Sequence, residues 1–550
     1  MEFFETMKSY LESIIKKSLE QFGSLDDEPE IIIEQPRIPE HGDLSTNVAM
    51  TLTKVLRKNP RAIAQQIVDG LEYDSQKIKS VEIAGPGFIN FRYAEEWLFK
   101  QLKSISSKES VFGRSDINKG EKVLVEFVSA NPTGPLTVGH GRNAVLGDTI
   151  ARLFEWTGAD VEREYYFNDA GRQMRVLAQS VQARYLELIG VPDPEFPEDG
   201  YQGEYIRDIA QSIVDEKDDD LKDTDDLDIF KQYAQELIFQ DIQNTLERMN
   251  IRMNNFFNEH DLYLSGAIED VVQKLRDKDL VYENDDATWF KTTKFGKDKD
   301  TVLIKSTGEP TYRLPDIAYH RDKLQRGYDL CIDVFGADHI ATYPDVVSGV
   351  NALGFDTDRI EVVVYQFVTL VKDGKPFKMS TRKANFVTLD ELMDMVGSDV
   401  TRFFFLMRSP GTHLEFDIGQ AKEAGEKNPV FYLQYAHARI QSIMRKIADE
   451  FSFSGQPDLS LLTHEAEITL IKTLLRLPEI IQLCALRREP HHLITYLNGL
   501  ATDFTQFYHH CHILGEPEEL AYARKTLAHS TAAVLKNGLE VLGINAPDHM

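Results

Sequence analysis

The chain is short of cysteine, of long apolar runs and of positive charge, and each shortage narrows what it can be. Its three cysteines, Cys331, Cys484 and Cys511, lie far apart. An odd, scattered set offers no disulfide framework and points to free thiols in a reducing, cytoplasmic setting. No stretch of about 18 consecutive apolar residues occurs, so no membrane span is expected. Met1 to Phe22 mixes apolar residues with Glu and Lys at helical spacing. It lacks the unbroken apolar stretch and small-residue cleavage site of a secretory signal. Internal repeats and low-complexity linkers are missing as well.

Lysine and arginine number 61 against 89 acidic residues, a formal net charge of −28. Taken as a sum, that argues against a nucleic-acid partner. Binding follows the local field rather than the sum, however. Nine of the acids fall within Asp215–Asp228, which reads as a solvated loop or helix edge.

What is present is ordinary globular material, 42% hydrophobic and 27% charged in 550 residues. At roughly 150 residues per domain this predicts three or four domains. Residues 1–112 read as a small α/β unit. Ile31–Glu34, Val81–Ile83 and Phe88–Phe91 are its strand candidates, and Leu44–Leu71 is a helical stretch interrupted at Asn59-Pro60. From Lys122 the pattern becomes strand (Lys122–Val128), loop (Ser129–Val138), helix (Gly141–Thr157), strand (Val161–Phe167). That order predicts a parallel sheet with a right-handed crossover. Further strands are expected near Val302–Lys305, Leu330–Phe335 and Glu361–Leu370. Beyond about residue 425, Tyr432–Glu450, Glu465–Arg488 and Tyr522–Leu542 read as helices, which makes the C-terminal part all-α.

Two loops carry the chemistry. The first, Asn131–Asn143 (NPTGPLTVGHGRN), joins a strand to a helix. Its glycines admit a ligand close to the backbone, and the helix start offers free N–H groups to phosphate. His140 and Arg142 add donors at the same place. Gly139-His140-Gly141-Arg142-Asn143-Ala144 also fits a dinucleotide fingerprint, with Asp160 and Glu162 about twenty residues on. In that motif the glycines follow the strand directly, whereas here about ten loop residues intervene. A purely structural turn is the other reading. The second loop, Lys372–Lys383 (KDGKPFKMSTRK), holds five cations and one acid in a strongly acidic chain. A basic loop of this kind can meet the charge that develops on a leaving pyrophosphate, or it can simply be solvated.

Asn131–Ala144 resembles the ATP-binding signature of the class I aminoacyl-tRNA synthetases. Thr137 stands where that family usually has its first histidine, and Gly139 and His140 match. Glu126-Phe127-Val128-Ser129-Ala130-Asn131-Pro132 is similar to the arginine-specific version. Lys378-Met379-Ser380-Thr381-Arg382 resembles the second class I signature, with Thr381 for its second lysine and Arg382 or Lys383 left to supply charge. The resemblance, to the arginyl-tRNA synthetases, covers about residues 25–550. It implies an additional N-terminal tRNA-binding domain (1–112), a Rossmann-like catalytic domain with insertions (113–390), a connecting segment (391–425) and an α-helical anticodon-binding domain (426–550).

By the same resemblance, Thr137, Gly139, His140 and Lys378 are catalytic, and Gly139, His140, Gly141, Asp338, His339, Lys378, Met379 and Ser380 hold ATP. Glu126 and Asn131 hold the arginine's amino group and backbone, and Tyr312 and Asp316 its guanidinium. Asn168-Asp169-Ala170-Gly171 forms the pocket rim. A guanidinium is suited to carboxylates that accept it in two-pronged geometry. The implied substrates are arginine, ATP with Mg2+, and tRNA(Arg). A structural metal, a membrane partner and an oligomer are not expected. His509, His510, Cys511 and His512, on adjacent helical positions, point in different directions. Phe504, Phe507 and Tyr508 are candidate stacking platforms for unpaired bases, or core. The rivals are a ligase acting on a small acceptor and a non-catalytic RNA-binding relative, which Thr137 and Thr381 would suit.

Overall fold

The computed structural model describes residues 7–23, 29–36, 38–337, 340–372, 374–377, 387–425 and 427–550. The N-terminal unit is an antiparallel sheet of four strands, β1 (Ile33–Glu34), β2 (Leu44–Thr46), β3 (Ile78–Ala84) and β4 (Phe88–Tyr93), in the order β1-β2-β4-β3. Helices α1 (Met7–Leu19) and α2 (Pro60–Asp69) cover it. Asn59 caps α2 by accepting the N–H of Arg61, with Pro60 at the first helical position, where its missing N–H costs nothing. The helix expected from Leu44 begins only at Val48. Leu44–Thr46 is instead a fully buried strand, because pairing with Phe91, Asn90 and Ile89 offers more than a solvated helix start. Helix α3 (Glu95–Ser107) leads onward.

The central unit is a five-stranded, all-parallel sheet. Its first strand, β5 (Lys122–Glu126), is followed by α4 (Val138–Trp156) and β6 (Asp160–Phe167). An insertion of three helices, α5 (Gly171–Leu188), α6 (Glu204–Lys217) and α7 (Leu227–Arg248), comes before β7 (Asn255–Asn258). A small antiparallel sheet, β8 (Val281–Asn284), β9 (Ala287–Phe290) and β10 (Thr301–Ile304), precedes α8 (Arg313–Gln325) and β11 (Leu330–Gly336). Then come α9 (Tyr343–Leu353) and β12 (Ile360–Tyr365). The spatial order is β12-β11-β5-β6-β7. The chain therefore adds strands to one side of β5 and then to the other, and the crevice beyond the ends of β5 and β11 is the switch point where such sheets bind ligands.

Glycine decides how close α4 comes to β5. A Cβ on Gly147 would lie 2.2 Å from the ring of buried Phe127. The apolar run expected as one strand over Glu361–Leu370 is two, β12 and β13 (Val368–Lys372), separated by Gln366-Phe367. With β14 (Lys375–Pro376) and a later strand, β13 makes a third small sheet. Helices α10 (Leu389–Val396) and α11 (Ser398–Leu406) precede that strand, β15 (Leu414–Asp417).

The C-terminal part is helical throughout: α12 (Pro429–Glu450), α13 (Glu465–Leu474), α14 (Leu477–Arg487), α15 (His491–His510) and α16 (Glu518–Val541). The single helix expected over Glu465–Arg488 is broken at Leu475-Arg476, where Pro478 opens α14 in its first turn. Phe504 and Phe507 are core residues, 1% and 0% exposed, which removes them as platforms for bases. Tyr508 is half-buried beneath the Arg439 guanidinium, 4.7 Å from the ring centroid. No described helix is long and apolar enough to cross a membrane.

Candidate active site

The parallel register sets three carboxylates in a row across the sheet. Glu126 of β5 is level with Asp333 of β11 and with Glu164 of β6. All three are buried. Like charges placed directly opposite repel, so a row of this kind persists only with cations laid over it. Helix α8 supplies them. Lys323, fully buried, donates to Glu126 and, at 2.6 Å, to Asp333. Arg326 forks onto both oxygens of Glu164 at 2.6 Å, and the Tyr319 hydroxyl donates to the same carboxylate.

His320 lies between the carbonyl of Asp316, 2.7 Å from its Nδ1, and the Asp333 carboxylate, 2.8 Å from its Nε2. Both partners accept, so both ring nitrogens carry protons and the imidazole is charged. Burial and Lys323 press its pKa down, and Asp333 reverses the sign and holds it raised. Asp333 itself is held low by Lys323 and His320 against the opposing effect of burial. Glu126 is raised by burial despite Lys323, and also accepts from the Ser129 hydroxyl at 2.8 Å.

Asp316, four residues after Tyr312 on α8, has a different setting. Among the described residues no cation or hydrogen-bond donor engages its carboxylate. Burial foremost, with Glu126 and Glu259 adding to it and His320 opposing, raises its pKa to about 7. Glu259, which sequence reasoning missed, is buried and accepts from the Tyr166 hydroxyl and the Asn168 amide, both at 2.7 Å. Tyr166, Tyr319 and Phe257 form the aromatic floor, with ring centroids 4.4 and 4.7 Å apart. The pocket holds the carboxylates of Glu126, Glu164, Glu259, Asp316 and Asp333 against three cations, Lys323, Arg326 and His320. It is under-neutralised at Asp316, which suits a cationic ligand. Tyr312 stands 83% exposed and is not drawn into this cluster. Asn131, at the rim, joins Gln173 at 2.9 Å and the N–H of Asn168 at 3.1 Å.

The first loop leaves β5 under strain. Val128 and Ser129 both take positive φ, 68° and 45°, which a β-branched valine rarely tolerates. Asn143 of α4 holds the turn, its Oδ1 accepting the Val128 N–H and its amide donating to the Val334 carbonyl of β11. Its side chain thus spans the seam between β5 and β11. Thr137 is the N-cap of α4, and its N–H donates to Nδ1 of His140 at 3.1 Å. An Nδ1 that accepts is unprotonated, so the neutral ring presents an Nε2–H donor. Burial lowers the His140 pKa and maintains that form. A Cβ on Gly139 would meet only the Thr137 hydroxyl, at 3.7 Å, so this side of the helix start is open.

Two residues of this loop do not serve as expected. Arg142 is buried and donates to the carbonyls of Gln366, Ser409 and Thr412, so its charge is used inside the protein and not on phosphate. Gly141 is buried too. A Cβ there would sit 2.6 Å from Leu389, and its N–H already bonds the Thr137 carbonyl at 3.0 Å. It is a packing glycine with no N–H left for ATP.

Asp338, His339, Lys378, Met379, Ser380, Thr381, Arg382 and Lys383 lie outside the described residues. The segment that follows them is placed. Thr388 forms an antiparallel bridge with Thr137, and the Leu389 N–H donates to the Leu136 carbonyl at 2.8 Å. The return from the second loop is therefore hydrogen-bonded to the first loop where α4 begins.

A parallel sheet with a strained strand-to-helix turn at its switch point, a Gly-His helix start and a following basic segment rooted on it define a class I aminoacyl-tRNA synthetase. The family model for the class I (R) tRNA synthetase catalytic domain matches residues 101–402. Those for the arginyl tRNA synthetase N-terminal domain and the DALR anticodon-binding domain match residues 9–93 and 433–550. An arginine–tRNA ligase of Salinibacter ruber is 56% identical over 99% of this chain and 100% of its own. One from Desulfotalea psychrophila is 52% identical over 94% of each. The arginyl-tRNA synthetase of Thermus thermophilus has the same fold, with a TM-score of 0.79 over 99% of this chain and 100% of its own at 24% identity. The chain belongs to the arginyl-tRNA synthetase family.

Proposed function

We propose that this chain is an arginine–tRNA ligase that forms arginyl-adenylate from arginine and ATP and passes the arginyl group to the terminal ribose of tRNA(Arg). The observation that carries this reading is the under-neutralised carboxylate cluster that includes Asp316 and Glu126, the last residue of the strand that leads into the first loop. A bidentate guanidinium–carboxylate contact rejects lysine, whose ammonium is a point charge. In this reading Asp316 accepts the guanidinium, and the exposed Tyr312, one helical turn before it, folds over the guanidinium's face once arginine is bound. Glu126 takes the α-amino group, and Asn131 contacts the arginine backbone from the rim.

The substrate carboxylate then attacks the α-phosphate of ATP and pyrophosphate leaves. Gly139, the neutral Nε2–H of His140 and the cap residue Thr137 face the nucleotide. Lys378, with Met379 and Ser380, meets the pyrophosphate charge, and Asp338 and His339 serve to bind the adenosine. Mg2+ accompanies the triphosphate and neutralises part of its charge. The ribose hydroxyl of tRNA next attacks the adenylate carbonyl and AMP leaves. No protein nucleophile is needed, since positioning and charge stabilisation supply the rate. The N-terminal unit (1–112) meets the tRNA elbow and the helical unit (426–550) its anticodon, with 113–390 catalytic and 391–425 connecting them. The enzyme works as a cytoplasmic monomer.

Aminoacylation of total tRNA with each of the twenty amino acids tests the proposal. Arginine alone is charged, and pyrophosphate exchange depends on arginine. Charging of another amino acid, or none, would refute it.

A further inference from the structure

The link between α14 and α15 holds a cluster of ligating side chains that the synthetase reaction does not use. Glu489, His491 and His492 each place one ligand-type atom, a carboxylate oxygen or an imidazole nitrogen, within 4.8 Å of the other two. His492 Nε2 is already 2.9 Å from Glu489 Oε2. The two imidazoles are close and tilted to each other by 33°, with centroids 4.1 Å apart. His491 Nδ1 is buried and has no hydrogen-bond partner. A buried polar nitrogen left unmatched costs about 1–3 kcal/mol, so its retention calls for a ligand or another reason.

The backbone beneath these side chains is fixed. Arg488 takes a left-handed φ of 57° and Pro490 a φ of −65°. The Glu489 N–H bonds the Cys484 carbonyl at 3.1 Å, and the Leu493 N–H the Pro490 carbonyl at 3.0 Å. Three donors projecting from one rigid turn lose little entropy when they converge.

We propose that Glu489, His491 and His492 form a three-ligand site for a divalent transition cation, zinc foremost, with water completing the shell. Two imidazoles and one carboxylate match the known His2Glu zinc donor set. They are too few and too nitrogen-rich for calcium or magnesium, which call for more oxygens. Bonds of about 2.0–2.2 Å require the three atoms, within 4.8 Å of one another, to draw closer. The bound ion ties the link after α14 to the first turn of α15. It also stiffens Arg488, which pairs with Glu361 of β12 at 2.7 Å and lies 4.7 Å over the Phe154 ring of α4. Glu361 is at the amino end of its strand, opposite the switch-point crevice, so the ion braces the docking of the helical unit and has no part in adenylate formation.

The test is titration of the full chain, freed of metal by chelator dialysis, with zinc chloride, followed by the visible absorption of its cobalt(II) form. The expected result is one saturable equivalent per chain and a rise in unfolding temperature with zinc. The His491→Ala/His492→Ala double variant should bind at least about 100-fold more weakly, since losing even an outer partner costs 10–100-fold. Its metal-free unfolding temperature shows that it folds, and His492→Cys, which keeps a third ligand, should retain uptake. The His509→Ala/His510→Ala variant should bind as the unaltered chain does. Absence of saturable binding, or undiminished binding by the first double variant, would overturn the proposal.

Discussion

Asp316 holds a proton that a solvated aspartate would have released. With a carboxyl pKa of about 7, it is half-protonated at neutral pH and cannot fully engage a guanidinium. Arginine kcat/KM, which reports the free enzyme, should therefore rise as pH increases through 7 and level off above about 8. Asp316→Asn should remove that limb and lower arginine kcat/KM by about 10–100-fold, the value of a charge-assisted hydrogen bond, with little effect on the ATP requirement. Equal losses for both substrates would remove Asp316 from the guanidinium site. Stability follows the same proton. The folded pKa exceeds the unfolded value of about 3.9, so the folded state binds this proton more tightly. The stability it contributes is fully present below about pH 4 and is lost as pH rises to 7. Arginine-free Asp316→Asn should thus be more stable than the parent chain at pH 8, with the gap closing towards pH 4. Lys323 is the counterpart. Lys323→Met should lower stability by about 3–5 kcal/mol, seen in the denaturation midpoint, because Glu126 and Asp333 are left buried without it.

At the scale of elements, local signals were legible and long-range ones were not. The strand–loop–helix run from Lys122 to Trp156 could be read because β-branched residues, turn residues and helical periodicity change sharply there. The family motif then pointed to Glu126 and Asp316. Nothing local marks Lys323, Asp333, Glu164 or Glu259 as partners, since they meet only through strand register and the lie of α8. Arg142 and Gly141 were misread because proximity in a motif does not say which way a helical side chain faces. Their partners, Gln366 and Leu389, are more than 200 residues away. The one-helix reading of Glu465–Arg488 overlooked that a proline can start a second helix. Packing of α4 gives a prediction of opposite signs. Gly147→Ala should lose about 1–2 kcal/mol, since overpacking against Phe127 outweighs the gain in helix propensity. Gly499→Ala, exposed on α15 with nothing within 4 Å of its added methyl, should gain about 0.5–1 kcal/mol. Denaturation midpoints of the two variants decide it.

Across the whole molecule, the units are joined by charge as well as by apolar packing. Lys472 of α13 pairs with Asp43 of the N-terminal unit at 2.6 Å. Arg402 of α11, fully buried, donates to Asp148 of α4, to the Met249 carbonyl after α7 and to the Leu542 carbonyl after α16. Gly543 closes over it, and a Cβ there would lie 2.2 Å from the guanidinium. Arg402→Met should cost about 3 kcal/mol and split a single thermal transition into two, as catalytic and helical units come apart. A single transition with an unchanged midpoint would refute this coupling. The arrangement also bears on how the protein is made. While the chain grows on the ribosome, Arg402 emerges with Met249 and Asp148 already available, but the Leu542 carbonyl arrives 140 residues later. Until then the guanidinium lacks one of its acceptors and the catalytic unit lacks its final seal. An enzyme that supplies arginine for translation thus depends on its own translation reaching Leu542 before its core can close.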